Sequence, residues 1–213
     1  NSEVTLTWNN KQGLIFEKII KIDNQYLFSV EQKIKNDSEK IYSFYPYGQI
    51  VRTKVPDIID FFILHEGPLG VLDDQLIEKD YKDILDKKYS KNANNGFLGI
   101  TDKYWLTSII PQKNKKFRAD FEYNEKFKVN FIESESYESK PKSEISNFLN
   151  IVVAAKEVSV IDGYNDSLGL KKFDLVIDWG WFYWIVKPLF FLNDYFFKLA
   201  GNYGIAIILI TVC

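Results

Sequence analysis

The sequence predicts a mainly β fold, an antiparallel β-sandwich followed by helices at the carboxy end. Three observations carry this. Runs of strict apolar–polar alternation recur through the first two-thirds of the 213 residues, as strands with one buried and one wet face require. Clusters of Asn, Asp, Gly and Lys separate the runs and supply turn chemistry. From Phe173 onward turn residues thin out and apolar residues dominate.

The elements follow in order. VTLTW (Val4 to Trp8) places Val4, Leu6 and Trp8 on one face. NNKQG (Asn9 to Gly13) reads as a turn, with Gly13 free to take positive φ. The Ile- and Phe-rich run from Leu14 to Ile22 returns as the second arm of a hairpin. Tyr26, Phe28 and Val30 then share one strand face. Phe117, Ala119, Phe121 and Tyr123 do so in FRADFEY, and Phe127, Val129 and Phe131 in KFKVNF, with NEK between them as a short hairpin loop. DDQLIEKDYKDILDKKY (Asp73 to Tyr89) fits helical spacing at Leu76, Ile77, Tyr81 and Ile84, and nearly as well a loop with a short strand. SKNANNG (Ser90 to Gly96) reads as a polar linker, and ESESYESKPKSE (Glu133 to Glu144) as a solvated loop before another strand. NIVVAAKEVSV (Asn150 to Val160) is a buried strand entering a helix, which VIDGYNDSLGL carries to a Gly stop.

With 46% hydrophobic and 26% charged residues the composition is globular, enough for one generous domain or a domain with an appendage. A net charge of -2 gives no electrostatic reason to expect nucleic acid, and that partner is set aside. One cysteine, Cys213, and one histidine, His65, exclude an internal disulfide, cysteine zinc sites and histidine clusters. Methionine is absent and the chain starts at Asn1, so an excised or processed piece of a longer protein is expected. Neither a signal peptide nor a spanning segment is visible at the amino end.

The stretch DWGWFYWIVKPLFF (Asp178 to Phe191) crowds three Trp, a Tyr and three Phe into fourteen positions, with only Asp178 and Lys187 charged. On a helical wheel Asp174 and Asp178 share one stripe, while Lys187, Asp194 and Lys198 share another nearly opposite. A single straight helix would expose charge on both sides. Pro188 offers a remedy by bending or breaking the helix, so the expectation is a first amphipathic helix to about Val186, a kink, and a second helix. Lys187 and Asp194 interrupt too soon for a span of roughly 20 apolar residues. Trp and Tyr settle at the headgroup level of a bilayer, and an interfacial helix is the better physical reading. GNYGIAIILITVC (Gly201 to Cys213) closes with eleven uncharged, nearly all apolar residues. They fit a buried terminal strand, but beside an interfacial aromatic helix the start of a transmembrane helix is preferred.

Three stretches resemble the YidC membrane protein insertase family of the bacterial inner membrane: GITDKYWLTSIIP (Gly99 to Pro111), AAKEVSVIDGYNDSLGLKKFDLVIDWGWFYWIVKPLFF (Ala154 to Phe191) and GNYGIAIILITVC. HEGPLGVL (His65 to Leu72) is a weaker echo. Val153-Ala154-Ala155-Lys156 departs from the family, where Gly is more usual before the Lys. The resemblance implies a twisted supersandwich similar to mutarotase domains, with helices packing on it. It implies a periplasmic β-sandwich over residues 1–160, carboxy-terminal and interfacial amphipathic helices over 161–201, and the start of a transmembrane helix over 202–213. The implied role is insertion and folding of inner-membrane proteins as an insertase and chaperone. The implied partners are the lipid interface, Sec translocon components and nascent membrane proteins, the last through parts beyond this chain. No enzyme activity, cofactor or metal is implied. The groove arginine of the family follows after the stretch ending at Cys213.

Trp179, Trp181, Phe182, Trp184, Lys187, Phe190 and Phe191 are the expected membrane-interface residues. Lys187 would lay its stem on apolar surface and its ammonium at lipid phosphates. Docking of the same residues onto the sandwich competes with this. A loop histidine near a turn describes His65, beside Glu66, better than a general base. Trp105 reads as a packing residue, and Asp73, Asp74, Asp80, Asp83 and Asp86 as a solvated acidic face without calcium-loop spacing. A soluble carbohydrate-binding or mutarotase-like sandwich, with Trp8 and Trp105 as stacking rings, is the alternative function. It rests on fold analogy alone.

Overall fold

The alternation in the sequence closes into antiparallel ladders. The computed structural model describes residues 2–55, 65–180 and 182–212. These divide into two compact units, residues 2–55 with 65–176, and residues 177–180 with 182–212.

In the first unit, strands β1 (Ser2–Asn9), β2 (Leu14–Ile22) and β3 (Leu27–Asn36) form a meander. Its turns are closed by side chains as well as backbone, the Asn10 and Asp23 amides each donating at 3.0 Å to the carbonyls of Leu14 and Leu27. Asn10 Oδ1 accepts from the amides of Gln12 and Leu14 at 2.7 and 3.0 Å, and Asp23 Oδ1 from those of Gln25 and Leu27 at 2.8 and 2.9 Å. Such Asx bonds are why Asn and Asp sit at turns. Strands β4 (Tyr42–Phe44), β5 (Tyr47–Arg52), β6 (Gly67–Leu72) and β7 (Gln75–Glu78) precede a short helix α1 (Tyr81–Asp86). They are followed by β8 (Tyr89–Ala93), β9 (Gly96–Thr101), β10 (Trp105–Pro111), β11 (Phe117–Asn124), β12 (Lys126–Glu133), β13 (Tyr137–Ser139) and β14 (Ser143–Ala155). Helix α2 (Val158–Ser167) and a 3-10 turn (Phe173–Val176) complete the unit.

The strands form an eight-stranded sheet in the order β1-β2-β3-β14-β10-β9-β6-β7, a four-stranded sheet β5-β12-β11-β8, and a two-stranded ribbon of β13 and β4. The core lies between the first two. Val30, Leu98, Ile100, Ile109 and Leu149 face Phe117, Phe121, Phe127, Val129 and Phe131, positions two apart on each strand as burial of a single face demands. Close approach excludes side chains at Gly48, where a Cβ would strike the Phe131 ring, and at Gly99, where it would strike the Thr107 carbonyl.

The opposite face of the large sheet is buried as well. Ile161, Tyr164, Leu170, Phe173 and Val176 are buried on the α2 side, with Phe97 and Phe173 edge-to-face at 4.9 Å. Gly169, at φ 54°, ends α2 where the sequence placed its stop. The Tyr164 hydroxyl donates to both Asp23 oxygens at 3.0 and 2.9 Å, tying α2 to the β2–β3 turn.

Several sequence expectations change. The face of Val4, Leu6 and Trp8 is alternating but stays more than half exposed, because β1 is an edge strand beyond the packed core. Both readings of residues 73–89 hold in part, β7 and α1 dividing the stretch. The linker at Ser90 is strand β8, and β13 lies within the expected loop at 133–144. Trp105 is not core but 61% exposed at the start of β10.

The Tyr164–Asp23 bond gives a pH-dependent prediction. Burial opposes ionisation of Asp23, but the Leu27 and Gln25 amides and the Tyr164 hydroxyl outweigh it and hold its carboxyl below the usual 3.8. A depressed folded pKa stabilises above the ordinary carboxylate range, and that stability is lost as pH falls through the folded value. Tyr164→Phe should cost about 1 kcal/mol at neutral pH, after discounting for solvent near Asp23. The gap between parent and variant in urea unfolding should close below about pH 4.

Candidate membrane-interface segment

The second unit begins with an aromatic turn. Asp178 Oδ1 accepts from the Gly180 amide at 2.9 Å, and Gly180 takes φ 70°, a conformation that excludes most side chains. Between them Trp179 folds back and is only 8% exposed. Helix α3 (Tyr183–Ala200) follows. The expected helix up to Val186 with a kink at Pro188 is corrected here. Residues 173–176 are a 3-10 turn, α3 starts at Tyr183, and it runs through Pro188 to Ala200. Pro188 is its sixth residue, and although its ring removes the bond to the Trp184 carbonyl the helix continues past it.

This start resolves the charge conflict on the wheel. Asp174 and Asp178 fall outside α3, so the helix carries one narrow polar stripe of Lys187, Asp194 and Lys198. The last two pair at 2.6 Å across one turn. Apart from Asn193 the rest of its surface is apolar or aromatic. Trp184, Tyr195 and Leu199 share the most open face, at 71%, 57% and 67% exposed. Among the described residues α3 has none that is buried.

Lys187 sits against the aromatic turn. Its Nζ is 5.7 Å from the ring centroids of both Trp179 and Tyr183, within cation–π range. Trp179 packs edge-on against Tyr183 at 6.3 Å and Phe190 at 5.7 Å, and Phe190 against Phe191 at 6.0 Å.

Gly201, at φ 64°, ends α3, its amide donating to the Phe197 carbonyl at 2.8 Å. Asn202 then caps helix α4 (Tyr203–Val212), its Oδ1 accepting from the Gly204 and Ile205 amides at 2.8 and 3.3 Å. Phe197 and Tyr203 stack across this corner, ring centroids 3.9 Å apart and planes 11° from parallel. Ala206 is buried, while Ile205, Ile207, Ile208, Leu209 and Val212 stand open to solvent. Ten residues rise about 15 Å, half a bilayer core. Among the described residues no helix is long and apolar enough to cross a membrane.

Of the seven residues singled out in the sequence, Trp179, Lys187, Phe190 and Phe191 come together in one cluster. Phe182 and Trp184 project into solvent, and Trp181 lies outside the described residues. Tyr195 and Leu199 were missed. They share a face with Trp184 only because the helix runs unbroken through Pro188, so the expected kink hid them. Elsewhere, His65 Nε2 lies 3.2 Å from the Pro68 carbonyl and Nδ1 3.7 Å from Asp80. Asp73 binds the amides of Asn94 and Asn95 at 2.9 and 3.1 Å.

Comparisons with known proteins agree on one family and one fold. The family description "YidC periplasmic domain" matches residues 1–192. A membrane protein insertase YidC of Pelagibacter ubique is 56% identical over 213 residues, covering 100% of this chain and 38% of that protein. One of Rickettsia prowazekii is 41% identical over 216 residues, covering 98% of this chain and 38% of its own length. The chain thus spans less than two-fifths of these relatives. Two solved structures share the fold. A galactose mutarotase related enzyme of Lactobacillus acidophilus has a TM-score of 0.52 at 12% identity, over 71% of this chain and 67% of that one. An aldose 1-epimerase-like protein of Klebsiella pneumoniae has a TM-score of 0.51 at 9% identity, over 81% of this chain and 54% of that one.

The α3–α4 corner gives the prediction for this unit. Asn202→Ala removes a cap worth about 1 kcal/mol. It should raise amide exchange at Gly204 and Ile205 several-fold while leaving exchange in the β-sheets unchanged.

Proposed function

Because the chain belongs to the YidC membrane protein insertase family, we propose that it forms the periplasmic region of such an insertase, held at the surface of a bacterial inner membrane. In this reading residues 1–160 are the periplasmic sandwich, 161–201 the carboxy-terminal and interfacial helices, and 202–213 the start of a membrane-spanning helix. The observation that carries the reading is α3, a helix with one narrow charged stripe and an apolar surface open almost all round. A water-soluble helix would hide that surface, and an interfacial one buries it at the headgroup–acyl boundary.

The residues take distinct parts. Trp184, Tyr195 and Leu199 enter the lipid, with Phe182 and Phe191 beside them. The Trp179–Tyr183–Phe190 cluster sets the angle at which the chain enters α3. Lys187 and Lys198 face the headgroup phosphates on the polar stripe. Helix α4, uncharged throughout, continues into the hydrocarbon. The whole protein receives hydrophobic segments of nascent membrane proteins and releases them into lipid, alone or beside Sec translocon components. This region offers contact surface and sets height, and performs no chemistry.

Liposome flotation tests the proposal. Residues 1–213 should float with vesicles of phosphatidylethanolamine and phosphatidylglycerol, and residues 1–176, which keep the Phe97–Phe173 contact, should not. Trp184→Ala and Leu199→Ala should each weaken binding by about ten-fold, the scale of one large side chain leaving lipid. Equal behaviour of the two chains would sink the interfacial reading.

A further inference from the structure

The inner face of the eight-stranded sheet runs past the four-stranded sheet that covers it, leaving an open groove over β1, β2, β3 and β14. Val4, Leu6 and Trp8 lie on this face of β1, with Trp8 tilted over Phe16 of β2 at 5.2 Å between ring centroids. Among the described residues β1 is the last strand of its sheet. A sheet edge carries unpaired N–H and C=O groups, and proteins blunt it with short strands, prolines, bulges or lysines. The opposite edge strand, β7, has only four residues, and β8 at the edge of the small sheet carries Lys91. Strand β1 has none of these defences. It runs eight residues in unbroken register with β2 and holds no Pro, Lys or Arg. Its three large apolar side chains stay more than half exposed.

The phase of the ladder decides which backbone groups are open. The Asn10 amide donates to the Leu14 carbonyl at 3.0 Å, and successive residues of an antiparallel ladder alternate in facing their neighbour. Val4, Leu6 and Trp8 therefore bond towards β2. Glu3, Thr5, Thr7 and Asn9 turn their N–H and C=O groups to the open edge. A second copy of β1, related by a twofold axis normal to the sheet beside Leu6, meets this edge antiparallel. Leu6 then faces its own copy, and Val4 faces Trp8 of the other copy on either side. These apolar pairs take the non-hydrogen-bonded positions, where side chains are closest and Cα atoms lie about 4.5 Å apart. Thr5 opposite Thr7 and Glu3 opposite Asn9 take the hydrogen-bonded positions, and no like charges meet. An axis at Thr5 would set Trp8 against Ser2, and one at Thr7 would set Val4 against Asn10, so the sequence selects the Leu6 register. Such self-complementarity is what an interface between identical copies requires.

We propose that this chain associates with a second copy of itself through β1, joining two eight-stranded sheets edge to edge about Leu6. The groove floors of the two copies then run together across the seam. A single strand pair is at the low end of interface sizes, so the dimer is reversible. The seam lies wholly within the first unit and goes beyond the membrane reading of α3.

The test is disulfide trapping of the full chain in a zwitterionic detergent, in a Cys213→Ser background. Leu6→Cys sets two thiols at the twofold axis and should link about ten-fold faster than Val4→Cys or Trp8→Cys alone. The like residues of those two variants lie about 14 Å apart in the dimer, four positions along the strand. Val4→Cys and Trp8→Cys combined should link as fast as Leu6→Cys. Thr5→Pro deletes an edge-facing N–H that β2 does not use, so the sandwich should still unfold cooperatively. The same change should slow trapping through Leu6→Cys by about ten-fold, two backbone bonds being lost per dimer. Should Thr5→Pro fail to fold, the comparison of Leu6→Cys with Val4→Cys decides. Equal rates for those two overturn the proposal. So does trapping indifferent to Thr5→Pro, which would assign the contact to the apolar helices of the second unit. Vesicle flotation reports on α3 separately, so failure of one reading is distinguishable from failure of the other.

Discussion

The thirteen residues of β14 pair with β3 along one edge and β10 along the other, and their register decides what each surrounding face presents. Side chains alternate strictly along a strand, so a slip of one residue would exchange the faces. In the observed register Leu149 and Ile151 point into the sandwich while Val152 and Ala154 back onto the α2 side. Further towards its start the same inward face carries Ile145 and Asn147, past the limit of the four-stranded sheet. Core, helix-covered back and open groove are therefore set by one ladder.

The two units meet water in different ways. The first covers both faces of its large sheet along much of its length, once with the smaller sheet and once with α2 and the 3-10 turn. The second exposes large apolar side chains along both of its helices. Its local geometry is nonetheless well specified, by a capping Asn202, left-handed glycines at 180 and 201, and a stacked ring pair at the corner. Defined backbone with undefined apolar cover is what a segment stabilised by lipid requires, because the bilayer supplies burial but no directional bonds.

Much of the sandwich was legible from residues alone. Alternation at Phe117–Tyr123 and Phe127–Phe131 is local and matches the core they build, and the Asn and Asp turns are closed by those same side chains. Polar or short elements were less legible. Strand β8, with the sequence YSKNA, carries little hydrophobic signal because its pairing to β11 and its outward face decide its state. Trp105 was misjudged because an aromatic in a strand predicts burial only when the strand lies under something.

By itself the sequence determined the strand alternation, the Gly stop of α2, the aromatic character of residues 178–191 and the uncharged run that forms α4. These depend on neighbours a few positions apart. Tertiary structure alone decided three other things. Helix α3 begins at Tyr183, after residues 173–176 are drawn into the sandwich unit by the contact of Phe173 with Phe97. Its charges thereby fall on one stripe. The alternating face of β1 is left open, since burial depends on how far the partner sheet reaches. Asn147 meets Glu133 only because β12 and β14 converge there. Each of these is a long-range outcome, set by which surfaces find partners, and no local pattern encodes it.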